Sequence, residues 1–351
     1  MKFIHCADLH LDSPLETNLS RDKATRRRRE LIAAFEQMSA FARDKGVRAV
    51  LVAGDLFDRN KVTLRSIQSV SDIIAAVPEV DFLVLSGNHD SENPFLRLET
   101  LPDNLHFFGE NWTYYSYDDT TIGGISLCSR NRNIIYSSLS FPPSTYNIAV
   151  MHGDIASEIH LNELRGKNID YLALGHLHER QEGSIDARGS FAYSGCLEGR
   201  GFDESGVKGF YLVDTDRNSR EFITGLTTRT MYTISVDITE KNSYAQLRDA
   251  VDAALSAQQV RPEDMAKIIL TGSYSLDANK DLLQLQAFLD GRLYFAKLSD
   301  RSHLQIRAED YQNDVSLKGA LVRAVEQSSL APQEKEQVIL CGLRAILGEE
   351  F

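Results

Sequence analysis

The chain has 351 residues, 42% of them hydrophobic, and a formal net charge of −12. A chain of that length buries a sizeable core and divides into about two domains, while its acidic balance excludes a broad non-specific polyanion surface, because each phosphate contact needs a local cation. The four cysteines, Cys6, Cys128, Cys196 and Cys341, form no C-x-x-C pair, Met1 to Cys6 enters a strand with no apolar leader, and no run is long enough to span a bilayer. Free thiols and a cytoplasmic location, with no membrane partner, are therefore expected.

Lys2 to Cys6 reads as a first strand, followed by Asp8-Leu9-His10. An Asp and a His two residues apart in extended backbone point to the same side, so both can reach one ion. A helix follows from about Arg21 to Arg43, with Leu31, Ala34, Phe35, Met38 and Phe41 on one face. Arg26 to Arg29 fan around most of its circumference, which predicts a solvated helix start and not a single basic patch.

Val50, Leu51 and Val52 form a buried strand that Gly54 ends just before Asp55. An acid beyond the carboxyl end of a strand in an open α/β sheet is placed for chemistry. Later strand ends carry the same class of residue: Asn88 and His89 after Phe82 to Leu85, His152 after Asn147 to Met151, and His176 and His178 after Tyr171 to Leu174. Oxygen and nitrogen donors without a thiolate suit manganese, iron or zinc. Asp55 is read as a carboxylate bridging two metal ions. Asp58 is a ligand, a partner behind the ligands or a solvated acid. Asn88 offers a neutral amide oxygen, which leaves His89 beside the metals as general acid or transition-state stabiliser. His176 and His178 are expected to serve different ions.

Between these motifs a helix is predicted from about Thr63 to Ala76, ended by Pro78. Short β segments follow at His106 to Phe108, Thr113 to Tyr117 and Ile122 to Cys128, with a loop whose Arg130 and Arg132 could meet substrate. Phe191 to Asp214 is expected to close the sheet opposite. His5, His106, His160 and His303 lack comparable context and read as core or surface histidines.

Asp8-Leu9-His10, Gly54-Asp55-Leu56-Phe57-Asp58, Gly87-Asn88-His89-Asp90, His152-Gly153 and Gly175-His176-Leu177-His178, in this order, resemble the calcineurin-type metallophosphoesterase superfamily. The flanks Phe3 to Pro14 and Tyr193 to Gly209 are similar to the bacterial SbcD nucleases, in their YhaO-like branch, over roughly Met1 to Gly225. The resemblance implies an α/β fold, a four-layer β-sandwich flanked by helices. It assigns Asp8, His10, Asp55 and His178 to one ion and Asp55, Asn88, His152 and His176 to a second. His89 would then protonate or stabilise the leaving oxygen, with Asp58 orienting it. Two divalent ions, manganese foremost, DNA as substrate, an SbcC-like ATPase with a coiled coil as partner, and a homodimer through the helix near Thr63 to Ala76 are also implied. The alternative is an enzyme of nucleotides or other small phosphate esters. Some nuclease relatives carry His at the position of Asp58, and Cys196-Leu197-Glu198 lacks a proline of the nuclease pattern.

Residues 1–228 are expected to form the phosphoesterase domain, 229–314 a small α/β cap and 315–351 a helical tail. In the cap, Tyr232, Ile234, Val236 and Ile238 alternate as a strand, Ser243 to Leu255 form a helix, and Ile268 to Leu270 form a strand. The tail carries two amphipathic patterns, Leu317, Leu321, Ala324 and Val325, then Ile339, Leu343, Ile346 and Leu347, with Pro332 at a helix start. These helices either pack back on the cap or dock the partner's coiled coil.

Overall fold

A computed structural model describes residues 1–15, 19–58, 62–85, 93–275, 278–306 and 308–347. Apolar side chains on both faces of short strands require a layer on each side, and that requirement organises the first of two units, Met1–Tyr232. Its elements in chain order are β1 (Lys2–Cys6), α1 (Arg21–Asp44), β2 (Ala49–Val52), α2 (Leu64–Ala75), β3 (Asp81–Val84), β4 (Leu105–Phe107), β5 (Thr113–Tyr117) and β6 (Thr120–Gly124). There follow α3 (Ile135–Ser138), β7 (Tyr146–His152), α4 (Leu161–Leu164), β8 (Tyr171–Gly175), β9 (Gln181–Ser184), β10 (Ser190–Tyr193), β11 (Gly209–Asp214) and β12 (Ser219–Thr224).

The strands form two six-stranded sheets, β12-β11-β1-β2-β3-β4 and β5-β6-β7-β8-β10-β9. In the first, β1 to β4 are parallel and β11 returns antiparallel to β1. In the second, β6, β7, β8 and β10 are parallel. Alternation along each strand then builds four layers. Ile4, Val50, Val52 and Phe82 pack outward on Leu31, Phe35 and Met38 of α1 and Ile67 and Val70 of α2. Phe3, Leu51 and Leu83 point inward and meet Ile122, Ile148, Val150 and Tyr171 of the other sheet. Met151, Leu172 and Leu174 face the far side, covered by Leu139, Phe141, Ile159 and Leu164. This is the expected metallophosphoesterase sandwich. Because β1, β2, β7 and β8 are all parallel within their sheets, each sheet collects the carboxyl ends of its paired strands at one edge.

Three details differ from expectation. The strand expected to reach Cys128 ends at Gly124, because Ser126 leaves the ladder and bonds the Gly109 carbonyl. Arg27 is buried instead of solvated, since it shares the inward stripe of α1 with Leu31 and Ala34 and there finds Glu198 and Glu30. Leu317 is 70% exposed, because Gly319, Val322 and Val325 form the buried face of its helix.

The second unit, Thr233–Phe351, begins within β13 (Met231–Asp237) and continues through α5 (Tyr244–Ala257), β14 (Met265–Thr271), β15 (Ser273–Tyr274), α6 (Leu282–Arg292), β16 (Phe295–Asp300), β17 (His303–Leu304), α7 (Leu317–Glu326) and α8 (Pro332–Leu347). Its main sheet runs β13-β14-β16, and α5 starts on a capping box of Ser243 and Gln246. The two terminal helices pack on each other through Val322, Val325, Ile339 and Leu343, with Ile306 and Tyr311 against them. Among the described residues no helix is long and apolar enough to cross a membrane.

Candidate metal centre

Past their last ladder residues, β1 and β2 continue side by side. The Asp8 amide donates to the Gly54 carbonyl, His10 to Asp55 and Leu11 to Leu56, at 3.2, 2.9 and 2.9 Å. This pairing sets Asp8 and His10 against Asp55. The backbone is not extended there, as the D-x-H spacing suggested. Asp8, His10 and Asp55 have φ of +52°, +45° and +49°, and His176, beyond β8, has +107°. Left-handed backbone at four non-glycine residues costs of order 1–3 kcal/mol each. It persists where surrounding structure overrides it, and four of the eleven such residues among those described stand at this cluster.

Two glycines make room for the convergence. A β-carbon on Gly175 would stand 1.9 Å from the Ala53 carbonyl oxygen and 2.8 Å from His152 Nδ1, and one on Gly54 would stand 2.1 Å from the same nitrogen. Held in that slot, His152 Nδ1 donates to the Ala53 carbonyl at 2.9 Å. A carbonyl only accepts, so the proton is on Nδ1 and the Nε2 lone pair faces the site. That Nε2 is buried 3.6 Å from Asp55 Oδ2 and has no hydrogen-bond partner among the described residues.

His178 and His10 present the same atom. His178 Nδ1 lies 2.7 Å from Glu204 Oε1, and His10 Nδ1 faces Asp58 Oδ1 at 3.5 Å. Their Nε2 atoms oppose each other at 3.2 Å. His10 Nε2 is also 3.7 Å from Asp55 Oδ2, which places that oxygen between His10 on one side and His152 on the other. Asp8 completes both groups: Asp8, His10 and His178 lie within 4.8 Å of one another by their donor atoms, as do Asp8, Asp55 and His152. The His176 amide donates to both Asp8 oxygens at 3.0 Å, fixing that carboxylate, while its ring packs edge-on against His152 at 5.5 Å.

The electrostatics call for a cation. Burial, reinforced by Asp55, raises the Asp8 pKa well above the usual carboxylate range, and burial lowers that of His152 and His10. Two buried carboxylates and three imidazole lone pairs aimed at a common space suit divalent ions bound by oxygen and nitrogen. An orphaned His152 Nε2 and two opposed Nε2 atoms are what such ions would engage. The donor set thus fits the group.

Asn88 and His89, together with residues 86–92 around them, lie outside the described residues. Asp58, whose pKa is lowered to about 2 by its contact with His10 and by Ser13 against the cost of burial, meets His10 and Arg200. His5 is a core histidine, bonded to Tyr171 and the Leu174 carbonyl. Arg130 and Arg132 pair with Glu110 and Glu158. Sequence reasoning missed Arg200, Glu204 and Lys208. Glu204 is held well below the usual range, burial notwithstanding, by hydrogen bonds from His178 and Arg200, and Lys208 Nζ donates to the His178 carbonyl at 3.0 Å. The Arg200-x-x-x-Glu204 spacing, that of an i,i+4 ion pair, was the signal available.

Comparison with known proteins places these features. The sequence pattern described as calcineurin-like phosphoesterase matches residues 1–180. The chain is 26% identical over 365 residues to the uncharacterized metallophosphoesterase YhaO of Bacillus subtilis (strain 168), covering 94% of this chain and 88% of that one. It is 22% identical over 382 residues to the DNA double-strand break repair protein Mre11 of Saccharolobus solfataricus, covering 100% and 96%. A solved archaeal phosphodiesterase overlaps 64% of this chain and 100% of its own at 15% identity, with a TM-score of 0.37.

Proposed function

The chain belongs to the calcineurin-like phosphoesterase family, and on that premise we propose that it is a manganese-dependent nuclease that hydrolyses DNA phosphodiester bonds in repair, together with an SbcC-like ATPase. The observation that carries the metal chemistry is Asp55 Oδ2 standing 3.7 and 3.6 Å from the Nε2 atoms of His10 and His152. One carboxylate between two imidazoles suits a pair of ions sharing it. The near full-length similarity to an Mre11 protein supports DNA over other esters.

In this reading residues 1–228 do the chemistry, 229–314 form a small α/β domain and 315–351 a helical tail. Asp8, His10, Asp55 and His178 would hold one ion, and Asp55, Asn88, His152 and His176 the other. When bound, the two ions lower the pKa of water to make a nucleophile at neutral pH and neutralise charge developing on the phosphate. His152 and His178, with Nδ1 committed to Ala53 and Glu204, offer Nε2 without rotating. His89 donates a proton to, or hydrogen-bonds, the departing oxygen, with Asp58 orienting it.

The net charge of −12 favours a second reading, a phosphoesterase of nucleotides or other small esters. One experiment separates them. Cleavage of end-labelled duplex DNA and of a chromogenic phosphodiester is compared in manganese for wild type, His89→Gln and Asp55→Asn. The nuclease reading expects wild type to shorten DNA, Asp55→Asn to lose cleavage and bound metal, and His89→Gln to keep metal without cleavage. Hydrolysis of the small ester alone, with the partner ATPase present, overturns the DNA assignment.

A further inference from the structure

We propose that Arg200 is a positioning residue that joins His10 and His178 into one preorganised unit, by holding the carboxylates behind both of them. The inference rests on reading the site as a two-ion centre and adds how one half of it is built.

Arg200 grips Glu204 three ways: backbone N to Oε2 at 2.7 Å, Nη2 to Oε1 at 2.6 Å, and Nε to both oxygens at 3.1 and 3.3 Å. Glu204 Oε1 in turn takes the Nδ1 proton of His178. The other arm of the guanidinium, Nη1, lies 3.8 Å from Asp58 Oδ1, and Asp58 faces His10 Nδ1. His10, Asp58, Arg200, Glu204 and His178 therefore form a chain whose two ends, the Nε2 atoms, oppose each other at 3.2 Å. Only a planar fork spans two carboxylates in this way, since an ammonium is a point charge.

The loop that carries Arg200 is itself anchored. Arg27, from α1, donates to the Gly199 carbonyl at 2.8 Å and pairs with Glu198 at 2.5 Å. The amide of Cys196 and the ammonium of Lys208 both bond the His178 carbonyl. His152 is supported differently, by the Ala53 carbonyl at the end of β2, without a guanidinium. Loss of Arg200 should thus affect the ion between His10 and His178 and spare the ion at His152.

The full chain as wild type, Arg200→Met, Arg200→Lys and Glu204→Gln is titrated with manganese by equilibrium dialysis and with cobalt(II) by visible absorption, with circular dichroism as the check on folding. Wild type is expected to take up two ions. Arg200→Met should weaken one of them about 10- to 100-fold, the range for losing a partner behind a ligand, and leave the affinity and cobalt spectrum of the other unchanged. Arg200→Lys should be intermediate, because lysine can hold Glu204 but not span to Asp58. Glu204→Gln should repeat the selective loss, which keeps the test decisive if Arg200→Met does not fold. Two ions bound with wild-type affinity in Arg200→Met, or an equal weakening of both in a natively folded variant, overturns the inference while the two-ion reading stands. Fewer than two ions in wild type overturns both.

Discussion

Gly54 and His152 pack so closely that the imidazole occupies the space of the missing side chain, 2.1 Å from where a β-carbon would sit. Gly54 also has φ of +93°. Alanine at this position must displace the ring and break its bond to the Ala53 carbonyl. Displacement by about 1 Å at a reacting centre can cost about 100-fold in rate. Gly54→Ala is therefore expected to lose about two orders of magnitude in phosphodiester hydrolysis with a folded circular dichroism spectrum, and wild-type turnover would refute the slot.

His5 sets a pH dependence of stability that is separate from the reaction. It is fully buried, and that burial holds its pKa down to about 3 from 6.5 against the bond to the Leu174 carbonyl. The unfolded chain binds a proton below about pH 6.5 that the folded chain refuses, so stability is complete above that pH and falls as pH drops toward 3. Between pH 7 and pH 5 this amounts to about 2 kcal/mol. Urea unfolding at both values, for wild type and His5→Gln, should show wild type losing about that much more. Equal losses would place the effect elsewhere.

Arg27 is 1% exposed and faces Glu198, likewise 1% exposed. Removing one partner of such a pair leaves the other charge buried and costs about 3–5 kcal/mol, whereas replacing both by apolar groups costs much less. Thermal unfolding should rank Arg27→Met below the double variant Arg27→Met, Glu198→Met. If the double variant is the less stable, the pair is itself stabilising.

Much of the candidate site was legible because parallel pairing gathers strand ends at one edge of a sheet. Asp8 and Asp55 follow paired strands of one sheet, His152 and His176 stand at the ends of paired strands of the other, and packing of the two sheets brings the edges together. The left-handed turns at Asp8 and His10 were not legible, since spacing reports periodicity and not the sign of φ. Arg27 was misread because charge outweighed its place on the buried stripe of α1, and its partner is 171 residues away. Glu204 had only its i,i+4 spacing from Arg200 to mark it. Its role depends on a loop folding back on His178, which is tertiary information.

Metal removal should be visible as a change in stability. Asp8 and Asp55 are buried beside one another, and burial first, with the Asp55 charge second, raises the Asp8 pKa. Manganese at 100 times its Kd stabilises by about 2.7 kcal/mol per ion, worth about 5–10 °C in a domain of this size. Differential scanning fluorimetry with and without chelator should show that shift in wild type and lose most of it in Asp8→Asn. An unchanged melting curve on adding manganese would contradict ion binding at these residues.

The candidate ligands come from both sheets: Asp8 and Asp55 follow β1 and β2, while His152 and His176 end β7 and follow β8. An ion shared by Asp55 and His152 would rivet one layer of the sandwich to the other, at a point where Ala53 and His152 are 99 positions apart in the chain. A cross-link closing a loop of about 100 residues restricts the unfolded chain by about 4–5 kcal/mol when its geometry is unstrained. The same centre would thus act as fastening as well as reagent, and a chain stripped of metal would loosen at the mouth of the sandwich before its hydrophobic interior gives way.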